Sequence, residues 1–95
     1  MSVTIATKVF GSEATVALIR YYTATPATMN QAAAALDVPR HLVNRHTKLL
    51  VDAGVLTVVE SGAGPYGTKY AVDEERVRVL LDALRRYCSN EDLQD

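Results

Sequence analysis

The segment from Thr28 to Gly54 constrains the fold of this chain more than any other stretch. Thr28 and Gln31 have the spacing of a capping box, in which two side chains satisfy backbone N–H groups at a helix start. Asp37 tolerates left-handed backbone and Pro39 suits a first helical turn, so a tight turn separates two helices. Gly54 indicates a left-handed end to the second helix. The segment predicts a helix-turn-helix.

The second helix of this pair, expected over 39–53, has one apolar and one polar face. Val43, Leu50 and the polar Thr47 repeat at helical spacing, and Leu49 widens this inward stripe. In the first helix, Ala33 is expected on the inward face with Met29, where it lets another helix pass closely. The outward face of the second helix contains no acid and three cations, Arg40, Arg45 and Lys48. His41 and Asn44 lie on the same face.

The flanking segments complete one domain over 1–95. Residues 2–10 fit either a short strand or an arm that leads into a helix or lies on a partner, and Gly11 ends them. Ser12 caps a helix expected over 12–24. A strand, a glycine-rich loop over 60–67 that we expect to be mobile, and a second strand form a hairpin over 55–72. Asp73 caps a last helix over 73–88, and an acidic tail follows over 89–95. The predicted fold is mainly α with a small β-hairpin: a winged helix-turn-helix.

Composition excludes several classes of protein. The chain has 95 residues, a net charge of −1 and one cysteine, which excludes an internal disulfide framework and fits a reducing cytoplasm. No apolar run approaches the roughly 20 residues of a membrane span, and the first residues do not resemble a signal peptide. We find no nucleophile–base pair, paired carboxylates or phosphate-cradling glycine motif, so we expect no enzyme. The overall charge argues weakly against nucleic acid, but the basic residues are concentrated on one helix.

The sequence ALDVPRHLVNRHTKLLVDAGVL resembles the helix-turn-helix of ArsR-type (ArsR/SmtB-like) winged-helix repressors. The likeness extends more weakly to KVFGSEATVALIRYY and to Lys69-Tyr70 before the last helix. It implies that His46 packs at the edge of the core. Three residues depart from the family pattern: Asp37 replaces a glycine, Pro39 replaces a capping serine, and Thr47 replaces an apolar residue. Thr47 therefore needs a hydrogen-bond partner, for which a carbonyl one turn back is a candidate. The matching residues are Ala35, Leu36, Val43, Arg45, His46, Lys48, Leu50, Asp52, Ala53 and Gly54.

The metal-sensing motifs of that family are missing here. The first helix of the helix-turn-helix has no thiol or imidazole, and the last helix has no histidine. Soft and borderline metals need Cys or His at suitable spacing, whereas Cys88, His41 and His46 are scattered. We expect neither a metal nor another cofactor, and Cys88 is most simply a core or interface thiol, with redox sensing as the alternative.

The resemblance and the basic face together predict a sequence-specific regulator that binds double-stranded DNA and acts as a repressor. Side chains in the first turns of the second helix would lie deepest in the major groove. The base-reading candidates are Arg40, His41, Asn44 and Arg45. The phosphate candidates are Thr28, Asn30, Gln31, Lys48, Thr68 and Lys69, of which the first three could equally serve only as helix caps. Glu60 would repel phosphate, so we expect the wing to contribute less than the helix.

The last helix is apolar beyond what a small domain buries. We expect a two-fold homodimer on a pseudo-palindromic site, with Val79, Ala83 and Tyr87 as interface candidates. The alternative is that the N-terminal arm covers these residues. A different alternative for function is a winged helix that binds a protein partner and no DNA.

Overall fold

The computed structural model describes residues 3–91 and contains six helices and three strands in that range. The helices are α1 (Val3–Phe10), α2 (Glu13–Ala24), α3 (Met29–Leu36), α4 (Arg40–Asp52), α5 (Gly64–Gly67) and α6 (Glu74–Cys88). The strands β1 (Ala27–Thr28), β2 (Leu56–Glu60) and β3 (Lys69–Val72) form one antiparallel sheet in the order β1-β3-β2. This arrangement confirms the predicted winged helix-turn-helix fold. The end of the expected acidic tail, at 92–95, lies outside the described residues.

The N-terminal residues form a helix, and the strand interpretation was wrong. Val3 and Ile5 alternate with polar residues, but Ala6 and Val9 continue a helical repeat and are both buried. Helix α1 packs against α6 of the same chain. Helix α1 therefore covers part of the apolar surface of the last helix, as the alternative of an N-terminal arm proposed. Gly11 then allows a close turn into α2, because a Cβ at this position would lie 2.3 Å from the Thr7 carbonyl oxygen.

The helix-turn-helix is formed by α3 and α4, and local signals determine its ends. Thr28 Oγ1 accepts from the Gln31 amide at 3.1 Å, and Gln31 Oε1 accepts from the Thr28 amide at 2.9 Å, which confirms the capping box. Asp37 has φ 55° and ψ 48°, the left-handed conformation that the turn requires. Helix α4 begins one residue later than expected, at Arg40. No side chain caps the start of this helix, and the Pro39 carbonyl accepts its first helical hydrogen bonds, from the Leu42 and Val43 amides.

Helix α4 ends in a left-handed turn that α6 reinforces. Gly54 has φ 80°, and the amide of Val55 donates to the Leu50 carbonyl at 2.9 Å. The side chain of Arg76, in the first turn of α6, donates from Nε to the Ala53 carbonyl at 2.8 Å. A carbonyl at the helix end is thus satisfied by a cation, which the helix dipole favours. This contact joins the helix-turn-helix to the last helix.

The hydroxyl of Thr47 is buried in the core and pairs with Tyr22. Their oxygens are 3.3 Å apart, and both residues are buried. The partner is therefore a side chain of α2, not the carbonyl one turn back that we expected. Burial raises the pKa of the Tyr22 hydroxyl, against the opposing effect of the hydrogen bond with Thr47. The pair places one polar contact within the apolar core between α2 and α4.

Tyr22 and Thr47 should show energetic coupling. Tyr22→Phe or Thr47→Val alone leaves a buried hydroxyl without its partner, so each should reduce the free energy of unfolding by about 1–3 kcal/mol. The double variant should lose less than the sum of the two, by about 0.5–3 kcal/mol. Urea unfolding of the four proteins measures this coupling. Strictly additive losses would show that the hydroxyls do not interact.

The wing departs from a plain hairpin in two ways. Strands β2 and β3 pair through Leu56 with Val72 and Val58 with Tyr70, close to the expected positions. The two-residue strand β1 adds a third strand beside β3, which we did not predict. The loop expected over 60–67 contains the helical turn α5. A Cβ at Gly62 would lie 2.1 Å from the Gly67 carbonyl oxygen, so this folded loop requires a glycine there.

Helix α6 turns only part of its apolar arc inward. Leu80 is buried in the core and Ala83 is also buried, whereas Leu81 is 48% exposed. Of the two positions expected for the Cys88 thiol, core or interface, the core is wrong because this cysteine is exposed, and the interface stays a prediction. In the first helix of the pair, both Ala32 and Ala33 are buried, so two alanines allow the close approach. The largest fully buried side chains of the core are Tyr22, Met29, Leu50, Leu80, Val9, Val43 and Val55.

Candidate nucleic-acid interface

Helix α4 presents a cationic face to the surface. Arg40, His41, Arg45 and Lys48 are exposed along this helix, and no carboxylate interrupts them before Asp52. Asn44 differs from the other base-reading candidates because it is half-buried, and its Oδ1 has no hydrogen-bond partner among the described residues. The structure thus places three of the four candidates on an accessible surface. The fourth would have to turn outward before it could contact a base edge.

The wing folds back so that Tyr66 lies against Arg40. The guanidinium carbon of Arg40 is 4.3 Å from the centre of the Tyr66 ring, and α5 packs against α3. A guanidinium that stacks on an aromatic ring keeps its N–H donors directed outward in its plane. Tyr66 therefore orients Arg40 at the start of α4. No local signal in the sequence indicates this contact, since the two residues belong to separate elements.

The phosphate candidates at the start of α3 are largely occupied with capping. The side chains of Thr28 and Gln31 both bond to backbone amides in the capping box, and Asn30 is exposed beside them. The capping role is confirmed for Thr28 and Gln31. A phosphate contact by any of the three stays a prediction.

The wing has little positive charge to offer. Lys69 Nζ lies 3.6 Å from the Glu60 carboxylate, and Thr68 Oγ1 donates to the Gly64 carbonyl at 3.0 Å. Both phosphate candidates of the wing therefore have partners within the chain. This geometry supports the expectation that α4 contributes more to DNA affinity than the wing does.

Glu60→Gln should strengthen DNA binding. The substitution releases Lys69 from its ion pair and removes a negative charge that repels phosphate, so we expect a gain of up to about 1 kcal/mol. Titration of a duplex at low salt measures the change, and Glu74→Gln on α6 is the matched control. Weaker binding of Glu60→Gln than of the wild type would contradict this account of the wing.

Lys8 lies close to the cationic face of α4, a position that the sequence did not indicate. Lys8 of α1 borders the same groove as Arg45 and Lys48, with the carboxylate of Asp52 further along α4. Lys8 lies in the segment whose strand or helix character the sequence left open. A helical interpretation of that segment would have been needed to place it near α4.

His46 lies half-buried at the edge of the core, as the resemblance implied. Burial lowers the pKa of His46, and the positive charge of Arg45 lowers it further. Both effects favour the neutral imidazole in the folded state.

The depressed pKa of His46 should make stability depend on pH. Its contribution is present above the unfolded pKa of about 6.5 and is lost as the pH falls through the lower folded value, because the unfolded chain takes up the proton first. The urea concentration at the unfolding midpoint should therefore decrease as the pH drops below about 6.5. The decrease should be smaller for His46→Asn. Arg45→Gln should reduce it less. An identical pH profile for wild type and His46→Asn would contradict this prediction.

The interface candidates on α6 differ in exposure. Tyr87 is 62% exposed, Val79 is half-buried, and Ala83 is buried within the chain. Tyr87 and Leu81 both leave apolar surface exposed on α6, on different sides of the helix.

Residues 3–91 show neither a cluster of metal ligands nor a membrane-spanning helix. No group of three or more His, Cys, Asp or Glu side chains in this range is placed to hold a metal ion. No helix in the same range is long and apolar enough to cross a lipid bilayer.

Comparison with known proteins bears on the fold. No protein-family model matches the chain, and no curated protein matches it by sequence. Its structure is similar to the crystal structure of a "possible transcriptional regulator for arsenical resistance", with a TM-score of 0.66 and 22% sequence identity. The similarity covers 93% of this chain and 97% of that chain. The shared feature is the fold.

Proposed function

We propose that this protein is a transcriptional regulator that binds double-stranded DNA in a sequence-specific manner. The observation that carries the proposal is the exposed face of α4, where Arg40, Arg45 and Lys48 occur without an acid beside them. In helix-turn-helix proteins the second helix enters the major groove, where arginine can pair with guanine and lysine with phosphate. The structural neighbour described as a possible transcriptional regulator supports the same class of function.

The reading residues would divide by position along α4. Arg40 and His41 lie in its first turn, where base edges are closest. Arg45 follows one turn later and can read a base or clamp the backbone, while Lys48 is placed for phosphate. Asn44 would join them after release from its half-buried position. Asn30 at the start of α3 would contact phosphate alongside the capping pair.

We further propose a homodimer that acts as a repressor on a pseudo-palindromic site. The exposed side chain of Tyr87 on α6 supports association, with the half-buried Val79 on the same apolar stripe of the helix. Ala83 lies between them and is buried within the chain. A single reading helix makes few contacts, and a two-fold partner doubles them. Half-sites should then lie about 34 Å apart, one turn of DNA.

Selection of bound duplexes from a randomised library tests this proposal. The enriched sequences should contain two inverted half-sites about one helical turn apart. On a duplex that contains a single half-site, sedimentation should give two bound chains for the wild type. Tyr87→Glu, which opposes dimer formation, should give one bound chain on the same duplex. Enrichment of no common sequence would reject sequence-specific binding.

One observation favours a second function, recognition of a protein partner. The Glu60 carboxylate pairs with the wing lysine, and the chain has a net charge of −1. In that case no duplex would be retained in the selection. Substitutions on α4 would instead release a bound protein.

A further inference from the structure

A groove between α1 and α4 adjoins the base-reading surface. It has a volume of about 460 Å³. Its floor is apolar and is formed by Ile5 and Val9 of α1 together with Leu49 and Ala53 of α4. The volume falls within the range of small-molecule sites, roughly 300–1,000 Å³. A recess of this kind fits the apolar body of a small ligand.

The rim of the groove carries mostly positive charge. Lys8, Arg45 and Lys48 border it, and among the described residues that line it Asp52 alone carries a carboxylate. Asp52 is the last residue of α4, where the helix dipole is also negative. The anionic group of a ligand is therefore favoured near Lys8, Arg45 and Lys48 and disfavoured near Asp52 at the end of α4. The floor and the rim together define a ligand with an apolar body and one anionic head.

We propose that this groove binds a small amphiphilic anion of the medium-chain carboxylate type and that the ligand opposes DNA binding. The second half of the proposal rests on the proposed function. Arg45 and Lys48 belong both to the rim and to the DNA-binding face of α4. A carboxylate between them would neutralise charge that phosphate otherwise attracts, and its body would occupy space beside α4. The ligand would thus act as an inducer that competes with DNA.

Binding of octanoate to the full chain without DNA tests the site itself. Amide NMR signals of Ile5, Lys8, Leu49 and Ala53 should shift on titration. Hexanoate should bind about tenfold more weakly, because it lacks two buried methylenes. Octyltrimethylammonium should also bind at least about tenfold more weakly, since the rim is cationic. Shifts confined to another surface, or equal binding of the cationic amphiphile, would overturn the proposal.

Variants of the groove separate its charge from its apolar floor. Lys8→Ala should weaken octanoate binding about three- to fivefold, and Lys8→Arg should keep it near the wild-type value. Ile5→Trp should fill the groove and abolish binding, whereas Arg78→Ala on α6 should leave it unchanged. Absence of octanoate binding to the wild type would overturn the proposal. If Ile5→Trp then also had a lower sedimentation coefficient than the wild type, the groove would instead be where a second copy of the chain binds.

Competition with DNA tests the inducer role separately. At saturating octanoate the apparent dissociation constant for a duplex should rise at least about tenfold, and the rise should follow occupancy of the groove. Unchanged DNA affinity of octanoate-saturated protein would overturn the competition. A wild-type protein that binds no duplex at all would overturn the proposed function and with it the competition. The DNA-free titrations decide the ligand site in either case.

Discussion

Replacing Arg40 and Arg45 together with alanine should lower the affinity for a selected operator by about 2–6 kcal/mol. Each arginine can make a two-point contact with guanine, and such a contact is worth about 1–3 kcal/mol. Both side chains are exposed on α4, so their removal should leave the free energy of unfolding nearly unchanged. Arg40→Ala also removes the stacking on Tyr66. A duplex titration at fixed salt, with a random-sequence duplex for comparison, measures the loss.

Two control proteins make this result specific. Arg78→Ala removes an exposed arginine of α6 that pairs with Glu75, and it should bind the operator like the wild type. Arg40→Lys keeps the charge but loses the planar two-point geometry, so it should lower operator affinity more than random-sequence affinity. If the double alanine variant bound the operator as tightly as Arg78→Ala does, α4 could not be the reading helix.

Leu50→Ala should reduce the free energy of unfolding by about 2–5 kcal/mol. Leu50 is 0% exposed and belongs to the core cluster that joins α4 to α2, α6 and the sheet. Its loss leaves a cavity that the neighbours fill only in part. For a domain of this size the melting temperature should fall by roughly 10–30 °C. Thermal and urea unfolding measure the change.

The adjacent residue supplies the matched control. Val51 is 37% exposed on the same helix, so Val51→Ala should change the free energy of unfolding by less than about 1 kcal/mol. The contrast tests which side of α4 faces the core and therefore which side remains available to DNA. Equal losses at the two positions would mean that the helix is rotated from the orientation described.

The helix-turn-helix could be predicted from the sequence because its signals are local. The Thr28–Gln31 capping box, the left-handed Asp37 and the left-handed Gly54 each act within a few residues. The separation of Leu50 from Arg45 on α4 follows from helical periodicity alone. For the same reason, the spacing of the basic residues was sufficient to locate the cationic face of α4.

The elements that the sequence missed depend on contacts between distant residues. Helix α1 is short, and its alternating Val3 and Ile5 fit a strand as well as a helix until packing against α6 decides. Strand β1 has two residues and exists only through pairing with β3. The same limit applies to the candidate site. Stacking of Tyr66 on Arg40 and the position of Lys8 near α4 follow from the folded chain, not from any local pattern.

The salt dependence of DNA binding tests the central claim most directly, namely that the cations of α4 contact the phosphate backbone of a duplex. The logarithm of the binding constant should fall linearly with the logarithm of the salt concentration. Lys48→Ala should make this slope shallower by about one per protomer, with a similar loss of affinity for every sequence. A slope near zero for the wild type, or the same slope for wild type and Lys48→Ala, would contradict the account.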